Sequence, residues 1–174
     1  MNEPSTASGP IAFDRLLDQK ERVFRVCMGF SSSYEEAEDL AQDVYLKAYQ
    51  SYGTLDRPEL ATYWLLRIAK NTGLDRQKMR RRRGELLRSW AETALPAVTR
   101  GNDPAPEANA KLDAVKAAIR RLPGRFREVF VLREYGRLSY EEIARTLGIE
   151  TGTVMSRLAR SRKKVAEAIE GRSR

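Results

Sequence analysis

Apolar residues recur at helical spacing along most of the chain, and no strong alternating strand pattern interrupts them. The pattern predicts a first helix from Ile11 to Phe30. A second runs from Tyr34 to Gln50, started by Ser32 or Ser33, each with a Glu three residues on, and striped by Ala37, Leu40, Ala41, Val44, Tyr45 and Ala48. Gly53 to Glu59, with Pro58 inside it, reads as a loop. A long third helix follows from Ala61 to about Arg82. Helical period then fades. Ser89 to Ala110 holds Pro96, Gly101, Pro104 and Pro106 and reads as an extended, flexible linker.

The period returns at Lys111. Leu112, Val115, Ile119 and Leu122 line one helix, which Pro123-Gly124 ends. Phe126, Val129, Phe130 and Leu132 line the next, which Gly136 terminates. Ser139 and Glu142 then stand at capping-box spacing, Ile143, Ala144 and Leu147 make an apolar side, and Gly148 permits a sharp turn. From about Glu150 a last helix places Val154, Leu158, Val165 and Ile169 on one face, and Thr153, Ser156, Arg157, Arg160 and Lys164 on another. This is a helix-turn-helix with a cationic, hydroxyl-bearing outer stripe. Such a stripe suits a DNA major groove, where Arg reads guanine edges, Ser and Thr read either base edge or phosphate, and Lys neutralises phosphate. The expected fold is all-α: two small helical domains, residues 11–88 and 111–174, joined by a flexible linker over 89–110, with a frayed tail at 1–10.

Composition sharpens this reading. Hydrophobic residues make up 41% of the 174, enough to build cores. The net charge of +8 predicts attraction to polyanions without naming one. Its distribution says more. Ser31 to Gln50 holds five acids against one Lys, whereas Arg67 to Arg88 holds nine bases against two acids and Leu112 to Arg174 fifteen against eight. Two basic zones and one acidic helix fit a protein that touches nucleic acid twice and something basic elsewhere. One Cys and no His make common zinc sites and His-based catalysis improbable, and no phosphate loop or paired catalytic carboxylates stand out. Neither a cofactor nor a metal is expected. Cys27 reads as a small buried hydrophobe, and the lack of disulfide pairing suits a reducing, cytosolic compartment. No apolar run is long enough to span a bilayer, and no signal peptide is evident.

The second helix carries Glu35, Asp39, Gln42 and Asp43 on a polar face, either simply solvated or a docking surface for a basic partner. The third begins with Tyr63 and Trp64 and continues through Arg67, Lys70, Asn71 and Arg76 to the run Arg80 to Arg83. At least one of these rings belongs in a core. Rings beside cations also make a platform on which single-stranded bases stack while phosphates are neutralised.

The chain resembles the extracytoplasmic-function (ECF) sigma factors, the compact sigma subunits of bacterial RNA polymerase. Glu36-Ala-Glu-Asp-Leu-Ala-Gln-Asp-Val-Tyr-Leu-Lys-Ala-Tyr49 is similar to the core-binding helix of region 2, and Tyr63-Trp-Leu-Leu-Arg-Ile-Ala-Lys-Asn-Thr-Gly-Leu-Asp-Arg76 to its promoter-melting segment. Leu122-Pro-Gly-Arg-Phe-Arg-Glu-Val-Phe-Val-Leu-Arg133, Ser139-Tyr-Glu-Glu-Ile-Ala144 and Gly152-Thr-Val-Met-Ser-Arg-Leu158 look like region 4. The resemblance implies a binding subunit, not an enzyme. Asp39, Gln42, Asp43 and Leu46 would meet the beta-prime clamp of core polymerase, and the beta flap would be a further contact. Asn71, with the loop Gly53 to Leu60, would hold an extruded base of the minus 10 element, a step that requires a pocket because unstacking costs a few kcal/mol. Tyr63, Trp64, Arg67, Lys70 and Arg76 would lie along the melted strand. Thr153, Met155, Ser156, Arg157, Arg160 and Lys164 would face the minus 35 duplex, although Met155 stands where many relatives carry Lys or Arg. An anti-sigma partner is also implied, through which a cytoplasmic chain without membrane insertion would be held inactive, at the membrane if the partner is anchored there. A stand-alone helix-turn-helix regulator accounts for residues from Lys111 onward but leaves the acidic helix and the Tyr63 to Arg83 segment unexplained. A nuclease fits the basic zones and lacks an identifiable reactive group.

Overall fold

A computed structural model describes residues 13, 16–55, 57–94 and 107–170. Among these every regular element is helical: α1 (Lys20–Phe30), α2 (Tyr34–Ser51), two 3-10 turns (Tyr52–Thr54 and Pro58–Leu60), α3 (Ala61–Ala94), α4 (Glu107–Arg121), α5 (Gly124–Glu134), α6 (Tyr140–Leu147) and α7 (Thr151–Glu170). The expected tail at 1–10 and residues 95–106 of the expected linker lie outside the described residues.

Local chemistry accounts for most of the boundaries. Ser33 caps α2, its hydroxyl accepting from the Glu36 N–H at 3.2 Å, while the Glu36 carboxylate accepts from the Ser32 N–H at 2.7 Å. In α6 the capping box is complete: Ser139 Oγ accepts from the Glu142 N–H at 3.1 Å and Glu142 Oε2 from the Ser139 N–H at 2.7 Å. Gly148 then ends α6 in the left-handed region at φ 66°, where a Cβ would be strained.

Three boundaries differ from the sequence pattern. The first helix is interrupted by a turn at Asp18–Gln19, so α1 begins at Lys20. The third does not stop near Arg82 but continues to Ala94, because the run from Glu85 to Ala94 contains no Gly or Pro and holds the helix formers Leu, Glu and Ala. The linker is shortened from the other side as well, since α4 already begins at Glu107.

The largest difference is tertiary. α1, α2 and α3 pack together as one half, and α4 to α7 as the other, yet both contribute to one continuous core. Val26, Cys27, Phe30, Leu40, Leu65 and Leu66 belong to the same buried cluster as Val129 to Leu132, Leu138, Ile143 and Val154. The junction is close: a Cβ placed on Gly29 of α1 would lie 2.5 Å from Val131 Cγ1 of α5. Polar contacts frame it. Arg22 reaches Glu142 at 3.1 Å and the Gly136 carbonyl at 3.3 Å, and the Gln77 amide donates to the Arg120 carbonyl at 2.6 Å. Two helical modules are therefore present, but docked face to face. Cys27 sits in this core, where burial, opposed by the nearby Arg76, pushes its thiol up to about 12. It is a packing group at neutral pH.

Candidate nucleic-acid interface

α2 presents an exposed stripe at i, i+3, i+7 and i+10: Asp39, Gln42, Leu46 and Tyr49. Leu46 and Tyr49 are 57% and 71% exposed, so an exposed apolar strip runs beside carboxylates. Asp43 departs from this stripe. It turns toward α3 and pairs with Arg76 at 2.5 Å, and Arg76 also donates to the Asp39 carbonyl at 3.2 Å. Glu36 is similarly taken up by Arg80 and by the Ser32 backbone. Partial burial acts to raise the Glu36 carboxyl, but the Ser32 N–H and the Arg80 guanidinium outweigh it and hold the group below the ordinary carboxylate range. A group with a lowered folded pKa adds stability above its unfolded pKa and loses it as pH falls through the folded value. Unfolding free energy will therefore drop as pH is lowered below about 4.5, the unperturbed value. Glu36→Gln will flatten that limb in acid-titrated urea melts; an unchanged acid limb would remove the assigned pairing.

The start of α3 and the loop before it enclose a pocket of about 350 Å³ lined by Leu55, Arg57, Leu60, Tyr63, Trp64 and Arg67, with Arg145 and Thr146 of α6 closing the far wall. Trp64 does two things. It lines this pocket and also packs edge-on against Tyr52 at 6.3 Å, in an aromatic chain that continues to Phe13 and Tyr49. Tyr63 is engaged from the other half, where the Arg145 guanidinium stands 5.8 Å from its ring and donates to its hydroxyl at 3.4 Å. Arg67 is exposed. Asn71, one turn further on, is exposed too and does not line the pocket.

On α7 the apolar face is buried through Val154, Leu158 and Val165, which leaves Met155, Ser156, Arg160 and Lys164 exposed and Thr153 half-buried. Ser156 Oγ donates back to the Thr153 carbonyl at 3.1 Å. Arg157 does not join the outer stripe. Its guanidinium folds inward to Glu128 Oε1 at 3.2 Å, and the other oxygen of the same carboxylate holds Lys70 Nζ of α3 at 3.4 Å. Glu128 is only 14% exposed. One semi-buried acid thus binds a cation of the expected melting helix and a cation of the expected recognition helix at once.

A family model for sigma-70 region 2 matches residues 17–83, and one for sigma-70 region 4 matches residues 112–165. The ECF RNA polymerase sigma factor SigM of Mycobacterium tuberculosis is 32% identical over 162 residues, covering 91% of this chain and 77% of SigM. This chain belongs to the ECF sigma factors. It is also 35% identical to SigE of Mycolicibacterium smegmatis over 161 residues, covering 90% of this chain but only 61% of SigE. Among solved structures, the sigma factor RpoE of Bartonella quintana in complex with the anti-sigma factor NepR superposes with a TM-score of 0.60 at 27% identity, covering 90% of this chain and 95% of that one.

In this sigma factor the structure brings together Tyr63, Trp64 and Arg67 around one pocket, keeps Asp39, Gln42 and Leu46 on one free face, and keeps Met155, Ser156, Arg160 and Lys164 on another. It removes Asp43, Arg76, Lys70 and Arg157 into ion pairs. Sequence reasoning missed Glu128, Arg145 and Thr146. Each lies more than fifty positions from the residues it meets in the other half, and no local pattern marks it. Among the described residues no helix is long and apolar enough to cross a membrane.

Proposed function

We propose that the chain recruits core RNA polymerase to specific promoters and assists their melting, as a cytoplasmic binding subunit that catalyses no reaction itself. The observation that carries this reading is the separation of three surfaces on one molecule: the acidic and apolar stripe of α2, the aromatic and arginine-lined pocket at the head of α3, and the outer face of α7. The α2 stripe suits a basic helical clamp, since carboxylates select the partner while Leu46 and Tyr49 supply the buried area. The pocket suits a flipped base of the minus 10 element, stacked on a ring and flanked by Arg57 and Arg67. Arg160 and Ser156 suit the minus 35 duplex. A shallow apolar groove between α4, α5 and α7, lined by Val115, Ile119, Phe130 and Val165, offers the beta flap a seat. The module boundaries would follow the surfaces, one module up to residue 88 and one from 111.

The docked halves add a control. Lys70, Arg157 and Tyr63 are occupied by contacts across or beside the junction, so promoter engagement requires the halves to part. An anti-sigma protein that binds both halves would hold them in place; the Bartonella relative is solved in complex with the anti-sigma factor NepR.

Run-off transcription with core polymerase over a randomised promoter library tests the reading; a chain that never directs a defined start site, after any inhibitor is stripped, would overturn it. Asp39→Arg is the cleaner docking variant, because Asp43→Arg would also set two cations side by side at Arg76. Asp39→Arg should lower polymerase affinity at least tenfold in a fluorescence titration and leave the urea midpoint unchanged. Equal affinity would take α2 out of the interface.

A further inference from the structure

Arg127, on α5, is a fully buried side chain at 0% exposure. Its Nη2 donates to the Gly29 carbonyl at 3.4 Å, and its guanidinium lies 5.2 Å from the Phe30 ring. Among the described residues its Nε and Nη1 have no hydrogen-bond partner. A buried cation with unsatisfied donors is costly, and a native protein that keeps one has a compensating group such as a bound ion.

The surroundings say what that group is. Arg127 lines a cavity of about 230 Å³ at the junction of the halves, with Arg76, Arg80, Arg81, Arg120 and one acid, Glu36. Arg76 is neutralised by Asp43, and Arg80 by Glu36. Arg81, Arg120 and Arg127 have no carboxylate partner among the described residues. Burial, and then the like charge of Arg120, push the Arg127 guanidinium down to about 10. The cavity is below the usual range of about 300–1,000 Å³ for drug-sized ligands, so the occupant is compact. A single phosphate carries about −1.5 to −2 at neutral pH, short of three guanidiniums, whereas two linked phosphates match them. Planar guanidiniums also bind phosphate oxygens in pairs.

We propose that this junction is a binding site for a diphosphate group, free or carried at the end of a nucleotide, held by Arg127 at the base and by Arg81 and Arg120 at the mouth. Arg81 comes from α3, and Arg120 and Arg127 come from α4 and α5. The ligand therefore spans the two halves and favours their docked arrangement, a small-molecule brake on opening.

Isothermal titration of the full chain at fixed ionic strength tests this with inorganic pyrophosphate, ADP and orthophosphate as injectants. Pyrophosphate should bind saturably at one site per chain and at least tenfold more tightly than orthophosphate. Arg127→Met should weaken it at least tenfold. Arg81→Ala, at an exposed position, should weaken it at least threefold, and Lys163→Ala, exposed and outside the cavity lining, should leave it unchanged. ADP binding as tightly as pyrophosphate assigns the nucleotide-borne source, and pyrophosphate alone the free one. No saturable binding, or multiple sites to which Lys163→Ala matters as much as Arg81→Ala, would reduce the cavity to part of a general basic surface and overturn the proposal.

Discussion

Gly29→Val will part the two halves of the molecule. Gly29 is buried in α1 where α5 crosses it, and even a first carbon added there meets Val131 Cγ1 at 2.5 Å, Val131 Cγ2 at 3.0 Å and Tyr135 at 3.1 Å. Val131 is itself fully buried and has no free direction in which to retreat. Overpacking of this kind costs about 1–3 kcal/mol, and a branched side chain at the closest approach belongs at the upper end. Within either half alone the change is tolerated, because Val is a better helix residue than Gly. The cost therefore falls on the docked arrangement, whose population should drop by about a hundredfold relative to the open one. Small-angle scattering will show a larger radius of gyration, and amide exchange at Val131 and Leu132 will quicken, with helical content retained. An unchanged scattering curve together with unchanged exchange would show that the helices yield around the added methyls and that the junction is not built on glycine.

Glu128→Gln should release the same junction by charge instead of volume. The carboxylate holds Lys70 at 3.4 Å and Arg157 at 3.2 Å, and both Glu128 and Lys70 are only 14% exposed. Removing its charge strands two poorly hydrated cations, at a cost of about 3 kcal/mol, the low end for breaking a buried ion pair. The stranded groups recover hydration if the halves open, so most of the cost is relieved by opening and not by unfolding. Lys70 and Arg157 then become available to phosphate, and the free sigma factor should bind a minus 35 duplex at least tenfold more tightly in an anisotropy titration, with a steeper salt dependence as further counterions are released. Tighter binding would also require that Arg157 reach DNA once freed, so Glu128→Gln combined with Arg157→Ala should lose much of the gain. Wild-type affinity in the single variant would separate the ion triad from DNA access.

Helix content, order and the turn chemistry were all legible along the chain. Ala37, Leu40, Val44 and Ala48 of the predicted stripe are buried and Ala41 and Tyr45 pack partly buried beside them, the Ser139 capping box forms with both of its bonds, and Gly148 adopts the left-handed turn. These are short-range effects, decided within a few residues by spacing and backbone preference. Boundaries were less legible where propensity alone had to choose. The pattern ends the third helix near Arg82, yet α3 continues to Ala94 because nothing nearby favours stopping. For the site residues, the sequence separated acidic from basic surfaces and found the ring pair at Tyr63 and Trp64. It could not show that Asp43 meets Arg76, that Arg157 turns inward to Glu128, or that Arg145 closes the pocket over Tyr63.

The amino-acid order by itself determined that this is an all-helical ECF sigma factor with region 2 ahead of region 4, because periodicity and motif are local properties of the chain. Only the tertiary structure decided which charged groups remain free. A surface cation and a paired one have the same sequence signature, and they differ only in what long-range packing places within about 4 Å, the reach of an ion pair. Here the docking of α5 against α1 and α3 sets Glu128 between two cations and leaves Arg127 buried beside an open cavity.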